Sequence, residues 1–340
     1  MQLNTLKVGL IGFGYWGPNL LRNFSAQVSA EVIMVVDERR DRIDLVRKNY
    51  HSVKTSLIAD DLINNSEIEA VIIATPVFTH FNLAKKALLQ GKHVLLEKPM
   101  TASVNEALEL INLAEQKKLV LMVDHTFLYT GAVQKMKELI DINTIGKPQY
   151  FDSSRINLGL FQPDINVLWD LAPHDISILS FLIRDKPVSV NATGVSHTKN
   201  GIENIAYITL NFESNFIAHF NCSWTSPVKV RQTLIGGDKK MIVYNDLEPS
   251  EKIRVYDTGF NHKTEEDRTK IMVEYRTGDI FIPKLNAKEA LAGVANDFIE
   301  SIHLQKEPLA NSKLGMQVVK ILEASQESIK NKGKEVKIKG

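Results

Sequence analysis

The chain has 340 residues, which favours two domains because a single hydrophobic core rarely grows beyond about 250–300 residues. Its 41 basic and 40 acidic side chains leave a formal net charge of +1, which argues against binding to nucleic acids or membrane surfaces. The single cysteine, Cys222, excludes an internal disulfide and a cysteine-rich zinc site. With no long apolar segment and no leader-like start, the sequence predicts a soluble, cytoplasmic protein.

Short apolar runs rich in Val, Ile and Leu alternate with helical patterns over the first 125 residues. The runs lie at residues 6–12, 31–37, 69–74, 92–98 and 119–125, with a weaker one near Val53. Because apolar and polar residues do not alternate within them, they are typical of strands buried on both faces. The sequence therefore predicts an α/β protein in which residues 1–125 form a Rossmann domain with a doubly wound parallel sheet.

Two of the intervening helices have recognisable ends. The pattern at residues 80–91 ends at Gly91, a common helix stop. The pattern at residues 103–118 begins with Ser103, and Glu106 follows three residues later. This spacing predicts a capping box, in which each of the two side chains satisfies a backbone N–H at the start of the helix.

The first apolar run leads into GFGYWG, whose glycines have the spacing of a dinucleotide-binding turn. The motif alone is weak evidence, but here it follows a strand, precedes a helix and lies 20 residues before Asp37. We expect its glycines to permit a tight turn, close approach of a pyrophosphate and packing of helix on sheet. An ordinary strand-to-helix turn is the alternative. The expected cofactor-binding residues of this turn are Gly12, Phe13, Gly14, Tyr15, Trp16 and Gly17.

Asp37 ends the second apolar run, where a carboxylate accepts hydrogen bonds from the adenosine ribose of NAD. That carboxylate would repel the 2′-phosphate of NADP, so the sequence favours NAD. Arg39 and Arg40 follow directly, and an arginine there can neutralise the phosphate, which leaves NADP open. The alternative for both arginines is a solvated helix start.

Polar residues follow two later strands at the edge where open α/β sheets bind ligands. Thr75, Pro76 and His80 come after the strand that ends near residue 74, and we expect them to line the cofactor. For His80 the alternative is that it simply begins a helix. Glu97 and Lys98 hold the equivalent position on the next strand, so Lys98 is expected at the cofactor edge of the sheet.

Residues 126–140 read as a connecting helix, after which the chain becomes rich in alternating, strand-like runs. They lie at residues 149–158, 188–197, 204–212, 216–224, 230–237, 241–246 and 252–257, and helices follow at 287–305 and 312–333. This pattern predicts that residues 126–340 form an α+β domain with a large, mainly antiparallel, open-faced sheet that binds substrate. A sheet covered by helices on one face only would expose apolar surface, so we expect a homodimer or homotetramer.

The apolar segment 167–183 contains Asp170 and His174, four residues apart and thus on one face of a helix. Because Pro173 fits poorly inside a helix, either Asp170 is the N-cap or a kinked helix begins near Asn166. The alternative to a functional pair is a structural cap beside a satisfied core histidine. A metal site is disfavoured, since no third ligand stands at a recognisable spacing.

Taken together, GLIGFGYWGPN, ATP followed by TH, EKP and WDLAPHD resemble the glucose–fructose oxidoreductase / inositol dehydrogenase / MocA (Gfo/Idh/MocA) family of NAD(P)-dependent oxidoreductases. The resemblance runs from about residue 6 to the last helix. It implies a catalytic site of Lys98, Asp170 and His174, and a Lys98–Pro99 bond that is often cis in the family. These residues and Arg155 are the expected substrate contacts; for Arg155 the alternative is a solvent-facing strand arginine.

A finer resemblance of GYWGPNLLRNF, HTFLY and VLWDLAPHD is to members that oxidise the C3 hydroxyl of UDP-N-acetylglucosamine or its uronate. The hypothesis is hydride transfer from a sugar to NAD, with His174 as general base, Asp170 orienting it or gripping a hydroxyl, and Lys98 stabilising the alkoxide. Glu97 would position Lys98 or contact the nicotinamide ribose. The alternatives are an inositol or free-aldose dehydrogenase with the same site, or an NAD-binding sensor or scaffold without turnover.

Overall fold

The structure is a computed structural model that describes residues 5–159, 161–162, 164–199, 201–261 and 274–339. It divides into two compact units. The first consists of Met1–Thr130 and Lys288–Lys320, and the second of Gly131–Ala287 and Ile321–Gly340. The segment 288–320, which lies between the two parts of the second unit in sequence, therefore belongs to the first unit. The domain boundary expected between residues 125 and 126 stays a prediction.

The described part of the first unit contains a six-stranded parallel sheet in the order β3-β2-β1-β4-β5-β6. Its strands are β1 (Leu6–Ile11), β2 (Ala30–Val36), β3 (Lys54–Ser56), β4 (Ala70–Ile73), β5 (His93–Glu97) and β6 (Leu121–Asp124). Every residue of β4 and β6 is buried. The predicted doubly wound sheet with strands buried on both faces is confirmed.

Helices alternate with these strands along the chain: α1 (Gly17–Ser25), α2 (Arg40–Asn49), α3 (Ala59–Ile63), α4 (Val77–Leu89) and α5 (Val104–Lys117). Ser103 caps α5 as predicted, because its side chain accepts a hydrogen bond from the Glu106 backbone N–H. The Glu106 carboxylate reaches the N–H of Ala102 rather than that of Ser103. Helix α4 begins three residues before the predicted start, so His80 lies within it.

The second unit begins with α6 (Gly131–Asp141), which a short 3₁₀ turn, Thr126–Tyr129, separates from β6. The predicted single connecting helix is thus two pieces. The chain continues through β7 (Pro148–Leu158), α7 (Val167–Leu182), β8 (Pro187–Val195), β9 (Ile205–Phe212), β10 (Ile217–Ser223), β11 (Thr225–Gly237), β12 (Met241–Asn245), β13 (Ile253–Tyr256), β14 (Gly259–Asn261), β15 (Glu274–Arg276) and β16 (Ile280–Phe281).

The chain then forms α8 (Ala290–Leu304), α9 (Ser312–Lys330) and β17 (Val336–Lys337). The described strands of the second unit form a nine-stranded sheet, β16-β13-β12-β11-β7-β10-β9-β8-β17. It is antiparallel except between β7 and β10, which run parallel, so the mainly antiparallel sheet is confirmed. Helix α7 packs on β7, β9 and β10. Within the described ranges, no helix combines the length and apolar character needed to cross a membrane.

Helix α7 begins after Asn166, whose side-chain oxygen accepts a hydrogen bond from the Trp169 N–H at 3.2 Å. Of the two predicted starts, the one near Asn166 is confirmed, and Asp170 as N-cap is wrong. Asn166 is a favourable cap, and it leaves Pro173 inside the helix, where the missing N–H removes one backbone hydrogen bond. Asp170 and His174 therefore lie one turn apart on the same helix.

A buried ion pair joins β7 to α7. Nε and Nη2 of Arg155 donate to the two carboxylate oxygens of Asp175 at 2.9 and 2.7 Å, and both side chains are almost completely buried. Arg155 as a solvent-facing strand arginine is therefore wrong. Removing one member of such a pair leaves a buried charge without its counter-ion, whereas replacing both by apolar groups is far better tolerated.

We expect Asp175→Ala to lower the free energy of unfolding by about 3–5 kcal/mol, because the Arg155 guanidinium stays buried without its carboxylate. The double variant Arg155→Met/Asp175→Leu should recover most of this loss. Asp60→Ala, which removes the partner of exposed Lys86, is the matched control and should change stability by less than about 1 kcal/mol. Chemical unfolding followed by circular dichroism measures all three, and equal effects of Asp175→Ala and Asp60→Ala would contradict this account.

Candidate functional site

The glycine-rich turn between β1 and α1 has no room for side chains at two of its glycines. Gly12 has φ +97°, and a Cβ there would lie 2.5 Å from the Ala74 carbonyl oxygen. A Cβ on Gly17 would lie 2.4 Å from the Gly12 carbonyl oxygen. A Cβ on Gly14, in contrast, would have the Arg39 guanidinium as its nearest neighbour, at 3.8 Å. The geometry fits a tight turn, close packing and an open approach to the backbone, the roles expected of Gly12, Gly17 and Gly14.

Helix α1 presents its N-terminal amides without a side-chain cap. Trp16 occupies the N-cap position, and the first turn holds a proline and no acidic residue. Tyr15 and Trp16 are exposed and pack edge to face, with ring centroids 5.4 Å apart. Phe13 is buried, and its backbone N–H donates to Asp37. Uncapped amides and the positive end of the helix dipole suit a phosphate group.

Asp37 is buried at the end of β2, where it is held as a carboxylate. It accepts hydrogen bonds from the Phe13 N–H at 2.7 Å, the Arg39 N–H at 2.9 Å and the Arg39 Nε at 3.2 Å. Burial alone would raise the pKa of Asp37, but the hydrogen bonds from Arg39 and Phe13 outweigh it and hold the pKa below its ordinary value. Arg39 is half-exposed and occupies the N-cap position of α2 without a side-chain cap, and its ion pair with Asp37 makes it more than a solvated helix start. Arg40 is exposed as the first residue of α2.

His80 connects two loops at the carboxyl edge of the sheet through its two ring nitrogens. Its ring is buried, with Nδ1 3.1 Å from the carbonyl oxygen of Pro99 and Nε2 2.8 Å from that of Thr75. Burial lowers the pKa of His80, while these carbonyl contacts act in the opposite direction. The Thr75 hydroxyl also lies 2.6 Å from that of Thr79. His80 thus connects the loop after β4, which contains Thr75 and Pro76, to the loop after β5. A direct contact of Thr75, Pro76 or His80 with a cofactor stays a prediction.

Lys98 follows β5 directly, at the carboxyl edge of the sheet, and the Lys98–Pro99 bond is cis, as the resemblance implies. The Glu97 carboxylate is buried and accepts a hydrogen bond from the Lys98 N–H at 3.2 Å. In the parallel register of β5 and β6, Glu97 lies opposite Asp124, which is buried as well. The charge of Lys98 acts on both carboxyl groups. Lys98 therefore stands beside two acids rather than one.

His125 is a third neighbour of Lys98. Its ring is buried, and neither ring nitrogen has a hydrogen-bond partner among the described residues. Burial and the positive charge of Lys98 lower the pKa of His125 to about 3, so the ring is neutral near pH 7. Sequence reasoning missed both Asp124 and His125. The signal was present, because the run at 119–125 ends in a carboxylate and an imidazole at the same sheet edge as Lys98.

Asp170 and His174 belong to the second unit, on adjacent turns of α7, and both are partly exposed. The Asp170 Oδ2 accepts a hydrogen bond from Nε1 of Trp224 at 3.0 Å. Trp224 is buried, packs on Phe161 and lies between β10 and β11, so it fixes the carboxylate from a distant part of the chain. Sequence reasoning missed Trp224, for which no local pattern gave a signal.

The structure brings the expected residues together in groups. In the first unit, the glycine-rich turn meets Asp37 and Arg39, and the loop of Thr75 meets that of Lys98 through His80. In the second unit, Asp170 and His174 share one helix. The substrate contact of Arg155 and the convergence of Lys98 with His174 stay predictions. Among the described residues, no group of three or more His, Cys, Asp or Glu side chains is arranged to hold a metal ion.

Two family models match the chain. Residues 6–125 match the model described as an oxidoreductase family with an NAD-binding Rossmann fold, and residues 133–243 match the GFO/IDH/MocA C-terminal domain. Among curated proteins, UDP-N-acetylglucosamine 3-dehydrogenase of Acidithiobacillus ferrooxidans is 32% identical over 215 residues, which are 61% of this chain and 64% of that protein. The chain thus spans less than two thirds of that relative. The scyllo-inositol 2-dehydrogenase (NADP(+)) IolW of Bacillus subtilis is 23% identical, over 97% of this chain and 96% of that protein.

Solved structures share the fold. UDP-N-acetylglucosamine 3-dehydrogenase GnnA from Acidithiobacillus ferrooxidans superimposes with a TM-score of 0.79 at 24% identity, covering 96% of this chain and 98% of that chain. An oxidoreductase from Agrobacterium radiobacter in complex with NAD+, L-tartaric acid and magnesium superimposes with a TM-score of 0.82 at 19% identity, covering 98% of this chain and 99% of that chain. At these identities the likeness shows the fold alone.

Two glycines with positive φ allow a matched test of the nucleotide-binding turn. Gly12→Ala adds a Cβ against the Ala74 carbonyl, whereas Gly91→Ala, at φ +75°, meets no atom within 4 Å. Both should lose about 1–2 kcal/mol of stability from backbone strain, and Gly12→Ala should lose more than Gly91→Ala because its Cβ also collides with the Ala74 carbonyl. Only Gly12→Ala should also weaken NAD binding. We expect the affinity to fall about tenfold or more, since a loss of about 1.4 kcal/mol of binding free energy has that effect. Calorimetric titration with NAD measures this, and equal affinity of the two variants would refute the expected role of Gly12.

Proposed function

Because the chain belongs to the Gfo/Idh/MocA family of NAD-binding oxidoreductases, we propose that it is an NAD-dependent dehydrogenase acting on a secondary hydroxyl of a sugar. The proposed substrate is a nucleotide sugar of the UDP-N-acetylglucosamine type, oxidised at C3. The observation that supports the reaction class best is Lys98, held at the carboxyl edge of a Rossmann sheet beside two buried acids. The relative from Acidithiobacillus ferrooxidans supports the choice of substrate.

The residues of the first unit fit NAD. Gly14 leaves its backbone open, α1 offers uncapped amides, and Asp37 is an ionised acceptor beside the turn. When bound, NAD supplies the nicotinamide ring that takes up the hydride. Asp37 would accept hydrogen bonds from the adenosine ribose and disfavour a 2′-phosphate. Arg39, paired with Asp37, is the group that a 2′-phosphate would meet, so NAD is proposed as the preferred and NADP as the weaker cofactor.

Each proposed catalytic residue has a distinct task. His174 removes the proton from the hydroxyl, since histidine is the side chain most often used as a general base near neutral pH. Asp170, fixed by Trp224, orients the His174 ring or grips a neighbouring hydroxyl. The Lys98 ammonium stabilises the alkoxide that forms as the proton leaves. Its position directly after a buried strand holds that charge more firmly than a mobile loop would.

Lys98→Met keeps the length of the side chain and removes its charge. We expect turnover to fall on the order of 10²–10⁴-fold, the usual contribution of a group that handles a proton or its charge in the transition state. The dissociation constant for NAD should stay unchanged. Lys86→Met, at an exposed surface ion pair, is the matched control and should retain full turnover. Steady-state kinetics and NAD titration measure both variants, and full activity of Lys98→Met would exclude the proposed role.

A substrate panel tests the proposed specificity. We expect NADH absorbance to rise with UDP-N-acetylglucosamine or its uronate and to stay flat with free aldoses and inositols. Activity confined to inositols would favour the cyclitol alternative, for which IolW offers a precedent by sequence. Tight binding of NAD without reduction by any member of the panel would favour a sensor. Either outcome would overturn the proposed substrate, and the second would overturn the reaction as well.

A further inference from the structure

The backbone of His125 is fixed at the sheet edge where the cofactor is expected. His125 follows β6 directly, and β6 runs parallel to β5, so both strands end at the same edge. The His125 N–H donates to the Val123 carbonyl oxygen at 2.8 Å, and the His125 carbonyl oxygen accepts from the Leu128 N–H at 3.0 Å. The main chain of His125 therefore makes its hydrogen bonds within the turn, and the imidazole takes no part in them.

The His125 imidazole is buried without a hydrogen bond. The residue is 1% exposed, and neither ring nitrogen has a hydrogen-bond partner among the described residues. His80, buried at the same edge, differs, since its two ring nitrogens lie 3.1 and 2.8 Å from carbonyl oxygens. Buried polar groups are almost always hydrogen-bonded, because a donor or acceptor left without a partner destabilises the folded state. An imidazole without one indicates a residue that serves binding rather than stability.

A second polar atom without a partner belongs to the preceding residue. Asp124 is 2% exposed, and its Oδ1 accepts from the Thr126 hydroxyl at 2.6 Å. Its Oδ2 has no hydrogen-bond partner within the part of the chain that the structure describes. Two neighbouring side chains at this strand end thus both have hydrogen-bonding capacity that the protein itself does not use.

The chemistry of His125 suits an uncharged ligand group. Burial and the charge of Lys98 lower the pKa of His125 to about 3, so near pH 7 the neutral imidazole offers one N–H donor and one acceptor nitrogen. A neutral ring does not attract an anion, and the charge of Lys98 repels a cation. A carboxamide is an uncharged group that has both an acceptor oxygen and an NH₂ donor.

The order of the strands places His125 on the nicotinamide side of the expected cofactor site. Asp37, the expected contact of the adenosine ribose, follows β2, and the glycine-rich turn expected at the pyrophosphate follows β1. Strands β4, β5 and β6 continue in that order on the other side of β1. A dinucleotide that crosses from β2 over β1 therefore extends its nicotinamide half towards β4, β5 and β6. The hydrogen-bonding group of the nicotinamide ring is its carboxamide.

We propose that His125 is a binding residue for the nicotinamide carboxamide of NAD, with the imidazole N–H donating to the carboxamide oxygen. By holding this group, His125 fixes the rotation of the nicotinamide ring and so selects the ring face that meets the substrate. The proposal rests on the NAD binding of the proposed function and is independent of which sugar is oxidised.

Two ligands that differ by the nicotinamide ring test the proposal without turnover, because NAD contains the ring and ADP-ribose lacks it. His125→Leu removes the hydrogen bonds of the imidazole at similar volume. Its affinity for NAD should fall about tenfold, whereas its affinity for ADP-ribose should stay unchanged. His125→Gln retains a donor and an acceptor and should lose less NAD affinity than His125→Leu. His51→Leu, at an exposed histidine of the same unit, is the matched control and should change neither affinity.

Isothermal titration calorimetry measures these affinities. Unchanged NAD affinity in His125→Leu, equal losses for NAD and ADP-ribose, or equal losses in the Leu and Gln variants would each overturn the proposal. A loss confined to sugar binding, with NAD binding intact, would assign His125 to the substrate and overturn it as well. If wild-type protein binds NAD but oxidises no sugar, the proposed dehydrogenase function fails while the titrations still decide the role of His125.

Thermal unfolding of the unliganded protein separates binding from structure. Because His125→Leu removes a buried polar group that has no partner, its Tm should equal or exceed that of the wild type. A histidine needed for the fold would instead lower Tm when replaced, and that result would overturn the proposal. His125→Phe, which keeps a planar ring, takes the place of His125→Leu in all of these measurements if the leucine variant does not fold.

Discussion

The parallel register of β4, β5 and β6 is the constraint on which the candidate site of the first unit depends. Parallel strands end at the same edge, so a carboxylate, an ammonium and an imidazole from separate parts of the chain meet there without any long loop to place them. Apolar residues fix the strands in the buried sheet, and the polar residues of the site lie at or directly after the ends of these strands. His80 then fastens the loops after β4 and β5 to each other from within α4. The position of Lys98 is therefore set by the core.

The sequence was sufficient for features that depend on local pattern. Uninterrupted apolar runs predicted the buried parallel strands, and the Ser103 and Glu106 spacing predicted a helix start that the structure contains. The glycine-rich turn was recognisable because φ and close approach restrict Gly12 and Gly17 to one residue type. Helix α7 was harder, since Asn166 and Asp170 are both good N-caps and only packing of the whole helix decides between them.

Features that depend on contacts between distant segments were beyond the sequence. Nothing near Trp224 reveals that its indole holds Asp170, 54 residues earlier. Arg155 looked like a candidate for anion binding, and the anion that it holds is Asp175 of the same unit. The pairing of Glu97 with Asp124 follows from strand register, which a series of apolar runs does not contain. In each case the sequence contains both residues, but it does not reveal that they lie next to each other in the fold.

The placement of the aromatic residues has a practical consequence. The chain has three tryptophans, and each lies near candidate site residues: Trp16 occupies the N-cap position of α1 in the nucleotide-binding turn, Trp169 precedes Asp170 in sequence, and Trp224 donates to Asp170. Intrinsic emission is therefore a label-free reporter built into this molecule. Single replacements of Trp16 and Trp224 by Phe would separate the optical signal of nucleotide occupancy from that of events around α7.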